Sequence, residues 1–103
     1  MLYAGLFMGS VSGAGAEGFK NSNFLNLTND QKKHWLYSAI DTLGFVAGHK
    51  NKKQGACVWH WYHQDISDKN GLILEYMKKY PESSPSAILI ALTEKECGAS
   101  VRN

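Results

Sequence analysis

The sequence predicts an all-α fold, a small helical bundle of three to four helices stapled by one disulfide bond. Apolar residues recur at the helical period in the longer segments, and helix start and stop signals flank those segments. The chain has 103 residues, which fits one small domain, and holds two cysteines, Cys57 and Cys97. We therefore expect residues 17–103 to form a single helical domain, preceded by a separate segment at residues 1–16.

The first long element is predicted to be a helix over residues 29–47. Thr28 suits its N-cap, and Gln31, three residues later, completes a capping box. Apolar side chains then follow along one face: Leu36, Ile40, Leu43 and Ala47. Gly48 is a favourable residue for ending the helix. Residues 17–27, which hold one glycine and three asparagines, are expected to be irregular.

The next stretch, HKNKKQGA at residues 49–56, is predicted to be a basic, solvated connector, and an electrostatic contact for an acidic partner is the alternative. The aromatic run CVWHWYHQD follows it. Its Val, Trp and Tyr residues favour a strand, but no other segment offers a partner strand. On a helix, residues four apart share a face, which gives two pairs here: Cys57 with Trp61 and Val58 with Tyr62. We expect a short helix over residues 56–64.

Two further helices are predicted after the aromatic run. One starts near residues 67–68, ends at Pro81, and carries apolar side chains on one face: Leu72, Ile73, Tyr76, Met77 and Tyr80. The last helix has Ser84 as its cap, Pro85 at its first position and Gly98 just beyond its end. Its buried side is expected to comprise Ile88, Leu89, Ala91 and Leu92.

Residues 1–16, MLYAGLFMGSVSGAGA, are interpreted as a secretory signal peptide or its remnant. They carry no charged side chain and end in Ala14-Gly15-Ala16, a small-x-small cleavage pattern. An N-terminal strand, flexible or packed on the core, is the alternative. The stretch is too short and too rich in glycine to span a bilayer. Cleavage after Ala16 starts the mature chain at Glu17, in the periplasm.

Export makes the two cysteines informative. In a small exported chain, one pair of cysteines favours a disulfide over two free thiols, so we expect a Cys57–Cys97 bond. The bond closes a loop of about 40 residues, and restricting such a loop in the unfolded state is worth roughly 4 kcal/mol. That is a large share of the stability of a domain this small.

The most specific pattern of potential metal-binding or catalytic residues is C-x2-H-x2-H, formed by Cys57, His60 and His63, with Asp65 nearby. Zinc sites use such ligands, but these positions diverge around a helix, and an oxidised cysteine has no thiolate to bind metal or attack a substrate. We expect no metal, no cofactor and no enzymatic activity. The net charge of +2 and the presence of one arginine, Arg102, argue against nucleic acid as a partner.

The aromatic side chains of the run cannot all point inward from successive positions of one helix. We expect Cys57 and Trp61 to face the core, against the apolar side of the last helix, and Trp59 or His60 to face solvent. Exposed tryptophan and tyrosine side chains are enriched at the energetic centres of protein interfaces. The predicted binding residues are therefore Trp59, His60 and His63.

Four features occur together from the aromatic run onwards: Cys57, the stop at Tyr80-Pro81 within YMKKYPESSPSAILIAL, the helix-starting Pro85, and Cys97-Gly98. In this layout the chain resembles small exported helical proteins, a group that includes Tai-type immunity proteins of type VI secretion and HdeA-like acid-stress chaperones. The resemblance covers about residues 19–98.

This resemblance implies an all-helical periplasmic domain with a Cys57–Cys97 bond and no catalysis. Immunity proteins of this type bind and block a toxic cell-wall amidase, often as homodimers. HdeA-like proteins are dimers that dissociate in acid and hold unfolding clients. We rank the immunity-type binding protein first, because nine acidic residues are few for an acid switch, and the acid-stress chaperone second. Neither function requires nucleic acid or a stable membrane span.

Overall fold

A computed structural model describes residues 18–99 and shows that the fold is all-α. Five helices follow one another within these residues: α1 (Asn21–Phe24), α2 (Asn29–Lys50), α3 (Lys52–His63), α4 (Ile66–Lys79) and α5 (Pro85–Cys97). No strand is formed in this part of the chain. None of the helices described is long and apolar enough to cross a membrane. The segment interpreted as a signal peptide lies outside the described residues.

Helix α2 begins as predicted. The Gln31 amide N–H donates to Thr28 Oγ1 at 3.1 Å, and the Gln31 side-chain oxygen accepts from the Thr28 N–H at 3.0 Å, which completes the capping box. The predicted end at Gly48 is wrong, because the helix continues to Lys50. The α2 face that turns inward comprises Leu36, Ile40, Gly44 and Ala47.

The predicted connector at residues 49–56 is also wrong. Only Asn51, with an extended backbone (φ −153°, ψ 109°), separates α2 from α3. Its side-chain oxygen accepts from the backbone N–H groups of Lys53, at 3.0 Å, and Gln54, at 3.3 Å. Asparagine is among the best N-cap residues, so α3 starts four residues before the predicted position.

The crossing of α2 and α3 is made by glycine backbone. A Cβ atom added to Gly55 would lie 2.5 Å from Gly48 Cα and 2.7 Å from the Gly44 carbonyl oxygen. No side chain fits in that space, so the two helices can meet at this distance because residue 55 is glycine, whereas a Cβ atom at Gly44 or Gly48 would make ordinary contacts at 3.5 Å and 3.7 Å. This contact also explains why Gly48 stays helical: it packs against α3.

Helices α4 and α5 have side-chain caps at their starts. Asp65 Oδ1 accepts from the Asp68 N–H at 3.0 Å, so α4 begins within two residues of the prediction. Ser84 Oγ accepts from the Ala87 N–H at 3.1 Å, and Pro85 occupies the first position of α5. Gly98, with φ 95°, ends α5 as predicted. Three side chains that periodicity placed on the buried faces are exposed: Leu72, Tyr80 and Ala91.

The stretch expected to be irregular contains the short helix α1, which is fixed to the loop before α5. The Asn21 N–H donates to the Ser83 carbonyl at 2.7 Å, and its side-chain amide donates to the Tyr80 carbonyl, also at 2.7 Å. Phe24 is fully buried and meets the Trp35 ring edge-on, with ring centroids 5.1 Å apart. The N-terminal turn is therefore part of the core.

One apolar core joins all five helices. It is formed by Phe24, Leu36, Ile40, Val58, Trp61, Tyr62, Ile73, Met77, Ile88, Leu89 and Leu92. The expected disulfide joins Cys57 of α3 to Cys97 at the end of α5, with an S–S distance of 2.02 Å and Cα atoms 5.8 Å apart. Beside it, the Gln54 side-chain amide donates to the Cys97 carbonyl at 2.8 Å. The start of α3 and the end of α5 are thus connected twice.

Candidate functional site

Helix α3 divides the aromatic run between core and solvent. Val58, Trp61 and Tyr62 are buried, whereas His60 is exposed and Trp59 is 45% exposed. The expectation that Trp61 lies inside and that Trp59 or His60 lies outside is confirmed. Two exposed residues are followed by two buried ones here, because neighbouring positions on a helix point about 100° apart.

Tyr62 is a residue of this helix that the sequence interpretation did not assign to the core. Its ring is fully buried, and its hydroxyl donates to Asn70 Oδ1 of α4 at 2.6 Å. Burial raises the pKa of Tyr62, and the bond to Asn70 partly offsets that rise. The sequence interpretation placed Tyr62 on the same helix face as Val58, four residues earlier, and that shared face was the signal that could have assigned both to the core.

Four exposed rings of α2 and α3 and the half-buried ring of His63 form a surface, here called the aromatic strip: Tyr37, Phe45, Trp59, His60 and His63. Trp59 stacks on His63, with ring centroids 4.1 Å apart and 28° between the planes. Tyr37 meets His63 edge-on at 5.3 Å, and Trp59 meets His60 edge-on at 5.7 Å. The predicted binding residues therefore lie together, and Tyr37 extends their surface onto α2.

Phe45 and Trp59 are two walls of a groove of about 370 Å³ between α2 and α3. The backbone of Gly44 and Gly55 lies at its floor, and Asp41 and Thr42 line one side. Phe45 is 69% exposed, and its ring contacts His49 at 4.8 Å. The sequence interpretation missed Phe45 and Tyr37, although both lie off the apolar stripe of α2, which is the signal that would have placed them at the surface.

A basic cluster lies at the corner where α2 meets α3. It comprises His49, Lys50, Lys52 and Lys53, all exposed. Lys52 precedes Trp59 by seven residues, so the two share a face of α3 two turns apart. Within residues 18–99 none of the three lysines forms an ion pair, and residues 42–64 contain no aspartate or glutamate. The corner therefore presents uncompensated positive charge.

The histidines of the strip do not form a metal-binding cluster with other side chains in the described part of the chain. The sulfur of Cys57 is bonded to Cys97, so it provides no thiolate. No group of three histidine, cysteine, aspartate or glutamate side chains in residues 18–99 is placed to hold a metal ion. Neither His60 nor His63 forms a hydrogen bond with another side chain there; both make ring contacts.

A second concave surface lies between α2 and α5. This cleft, of about 420 Å³, has apolar walls with three hydroxyl groups at its edge: Trp35, Ala39, Leu43, Leu89 and Ile90, with Ser38, Thr42 and Ser86. None of its lining side chains is charged, and it shares Thr42 with the groove between Phe45 and Trp59. The predicted binding residues do not line it.

Comparison of the chain with protein-family models, with curated proteins and with solved structures finds no significant match.

Proposed function

We propose that this chain is a non-enzymatic, periplasmic protein-binding domain of the immunity type, which blocks a cell-wall amidase by covering it. The aromatic strip is the contact surface. The observation that carries the proposal is the exposure of three large rings on one face: Tyr37 at 50%, Phe45 at 69% and Trp59 at 45%. A contiguous exposed patch of this kind is typical of an interaction site.

The strip is also held in place before any partner arrives. Trp59 is fixed by its stack on His63, which in turn contacts Tyr37. The helices beneath are held by the glycine contact and by the disulfide. Side chains that are already ordered lose little conformational entropy on binding, so more of the contact energy contributes to affinity.

The disulfide and the N-terminal sequence support an exported setting. Structural disulfides persist in oxidising compartments and are rare in the cytosol, and the apolar segment ending in Ala14-Gly15-Ala16 matches a secretory leader. A protein that blocks a wall-degrading toxin acts in this compartment. The bond at Cys57 also removes the thiolate that a cysteine-dependent enzyme would need.

The test first identifies any secreted peptidoglycan amidase encoded beside this chain and then measures its inhibition. The disulfide-bonded protein, purified from the periplasm, is titrated into the amidase while clearing of a peptidoglycan suspension is followed. We expect inhibition that saturates at a fixed ratio of the two proteins. Trp59→Ala is expected to weaken it about 30-fold, the equivalent of about 2 kcal/mol at an interface centre. The matched control is Leu72→Ala, which removes an exposed apolar side chain of α4 and should leave inhibition unchanged.

A second measurement separates this function from an acid-stress chaperone. Light scattering of an aggregating client protein is recorded at about pH 2–3, far below the ordinary pKa of carboxyl groups. The immunity-type function predicts no suppression of scattering. Suppression, together with no effect on the amidase, would replace it with the HdeA-like function.

A further inference from the structure

We infer that the partner surface contacted by the aromatic strip is acidic, with carboxylates placed beside an apolar side chain that enters the groove between Phe45 and Trp59. This inference rests on the proposed function, because it concerns the same surface, and it adds the chemistry of the partner. It follows from where charge lies around the strip.

The lysines beside the groove lie at one end of the strip, and Lys32 and Lys33 lie near Tyr37 at its other end. Lys50, Lys52 and Lys53 are exposed, and none is paired with a carboxylate within residues 18–99. The partner therefore need not displace an existing ion pair to reach them. Charge complementarity of this kind directs the orientation of a complex and speeds its formation.

The carboxylates near the strip define where the acidic groups of the partner can lie. Asp41 lines the groove beside Phe45 and Trp59, and Glu96 lies with Cys57 and His60 along the other edge of α3. Both repel a carboxylate that approaches them. The acidic groups of the partner are thus excluded from these two edges and favoured at the lysine end formed by Lys50, Lys52 and Lys53, and the group that enters the groove is apolar.

The groove suits one apolar side chain. Its floor is the backbone of Gly44 and Gly55, so an entering group reaches down between the two rings without meeting a side chain from below. Its volume of about 370 Å³ is at the lower end of the range for ligand-binding clefts. The lysine end follows directly, because Lys52 lies two turns before Trp59 on the same face of α3.

Another polyanion, single-stranded nucleic acid, carries negative charge and stacks on aromatic rings. The charge of this surface comes from lysine, which is a point charge, whereas bidentate contacts to phosphate and guanine need arginine. The chain has one arginine, Arg102, which lies outside the described residues. An acidic protein is therefore the better match, and nucleic acid is an outcome of the test.

The test measures fluorescence anisotropy of labelled probes with the full disulfide-bonded protein. The probes are three short peptides with the same central leucine, flanked by glutamate, serine or lysine, and an oligothymidylate of similar length. At about 20 mM salt we expect the glutamate peptide to bind at least about tenfold tighter than the lysine peptide, and at about 200 mM salt the difference should shrink.

Three variants locate the effect. Replacing Lys50, Lys52 and Lys53 with glutamine should abolish the preference for the glutamate peptide. The matched control replaces three exposed lysines elsewhere, Lys78, Lys79 and Lys95, with glutamine and should keep the preference. Trp59→Ala should weaken binding of all three peptides by a similar factor, because it removes a wall of the groove.

The outcomes separate this inference from the proposed function. If Trp59→Ala weakens every peptide but the flanking charge makes no difference, the acidic partner is overturned and the strip remains a protein contact. If Trp59→Ala leaves the binding of every peptide unchanged, both the assignment of the strip as the contact surface and the inference of an acidic partner are overturned. Equal loss of the preference in the two triple variants would show non-specific attraction and overturn the inference. Tighter binding of the oligothymidylate than of the glutamate peptide would overturn it in favour of nucleic acid.

Discussion

The corner formed by α2 and α3 and the half formed by α4 and α5 are packed in different ways. In the corner, the helices meet through the backbone of three glycines, Gly44, Gly48 and Gly55. In the other half, apolar side chains such as Ile73, Met77 and Leu89 fill the space between the helices. The first kind of contact requires close approach of the backbone, and the second requires side-chain volume.

This difference determines which large side chains reach the surface. Because a glycine contact needs no bulky residue, most of the large apolar side chains exposed within residues 18–99 lie on the corner: Tyr37, Phe45, Val46 and Trp59. Helix α4 has one such residue, Leu72, and uses its other large apolar side chains for the core or its margin. The corner is thus both tightly packed and able to present aromatic rings outward.

The two neighbouring tryptophans of α3 give the largest expected difference. Trp61→Ala should lower the free energy of unfolding by about 3–5 kcal/mol, because Trp61 is buried in the apolar core. Trp59→Ala should lower it by about 0.5 kcal/mol, because nearly half of that side chain is exposed. Urea denaturation followed by circular dichroism measures both. Equal losses would mean that Trp59 supports the core and that the strip is not a free surface.

The disulfide is the covalent link between the two regions, since it joins α3 to the end of α5. Its reduction should lower the free energy of unfolding by about 4 kcal/mol, because the closed loop spans 40 residues. Denaturation curves with and without dithiothreitol measure the loss. A variant with both cysteines replaced by alanine should be insensitive to the reductant, and unchanged stability of the native sequence on reduction would contradict the expectation.

The glycine contact can be tested against a glycine of the other half. Gly55→Ala should destabilise the protein by about 1–3 kcal/mol, because the new methyl group meets the backbone of Gly48 and Gly44 and separates the helices. Gly71→Ala in α4 should stabilise it by about 0.5–1 kcal/mol, since nothing lies within 4 Å of the new Cβ and alanine favours the helix. Thermal melts of both variants show whether the signs differ, and a gain at both positions would refute close packing at the corner.

The last prediction concerns the Tyr62–Asn70 bond, which connects α3 to α4. Tyr62→Phe should cost about 1 kcal/mol at neutral pH through loss of that hydrogen bond. In alkali the difference in stability between the native protein and Tyr62→Phe should become smaller. Burial raises the pKa of Tyr62 in the folded state, so above about pH 10 the unfolded state loses a proton that the folded state retains. Stability then falls as the pH rises.

The phenylalanine variant lacks this ionisation. Its stability should therefore fall less steeply than that of the native protein between about pH 9.5 and pH 11. Urea titrations across this range measure the two slopes. Parallel slopes would show that the Tyr62 hydroxyl ionises equally easily in the folded and unfolded states.

Local chemistry made much of the fold predictable from the sequence. The capping box at Thr28, the Ser84-Pro85 start and the Gly98 end each depend on a few adjacent residues, and the structure forms all three. The disulfide was also predictable, because two cysteines allow one intramolecular pair. The all-α class followed from these signals together with the apolar periodicity.

The corner was not predictable in the same way. Gly48 is a helix stop by local preference, but its contact with Gly55 keeps it within α2, and that contact exists only in the folded chain. Asn51 then caps α3, so lysines that read as a solvated connector became part of a helix. The groove between Phe45 and Trp59 depends likewise on how α3 crosses α2, and helical periodicity does not contain that information.

The close crossing of α2 and α3 also provides a way to search for proteins that share this architecture. The crossing needs glycine at position 55, and the cross-link needs cysteine two residues later, which gives the spacing G-x-C and then C-G after a further 39 residues. At Gly44 and Gly48 an added Cβ makes only ordinary contacts, so alanine is also expected there. Remote homologues are therefore expected to keep these spacings while their exposed rings and charges diverge with the partners they bind.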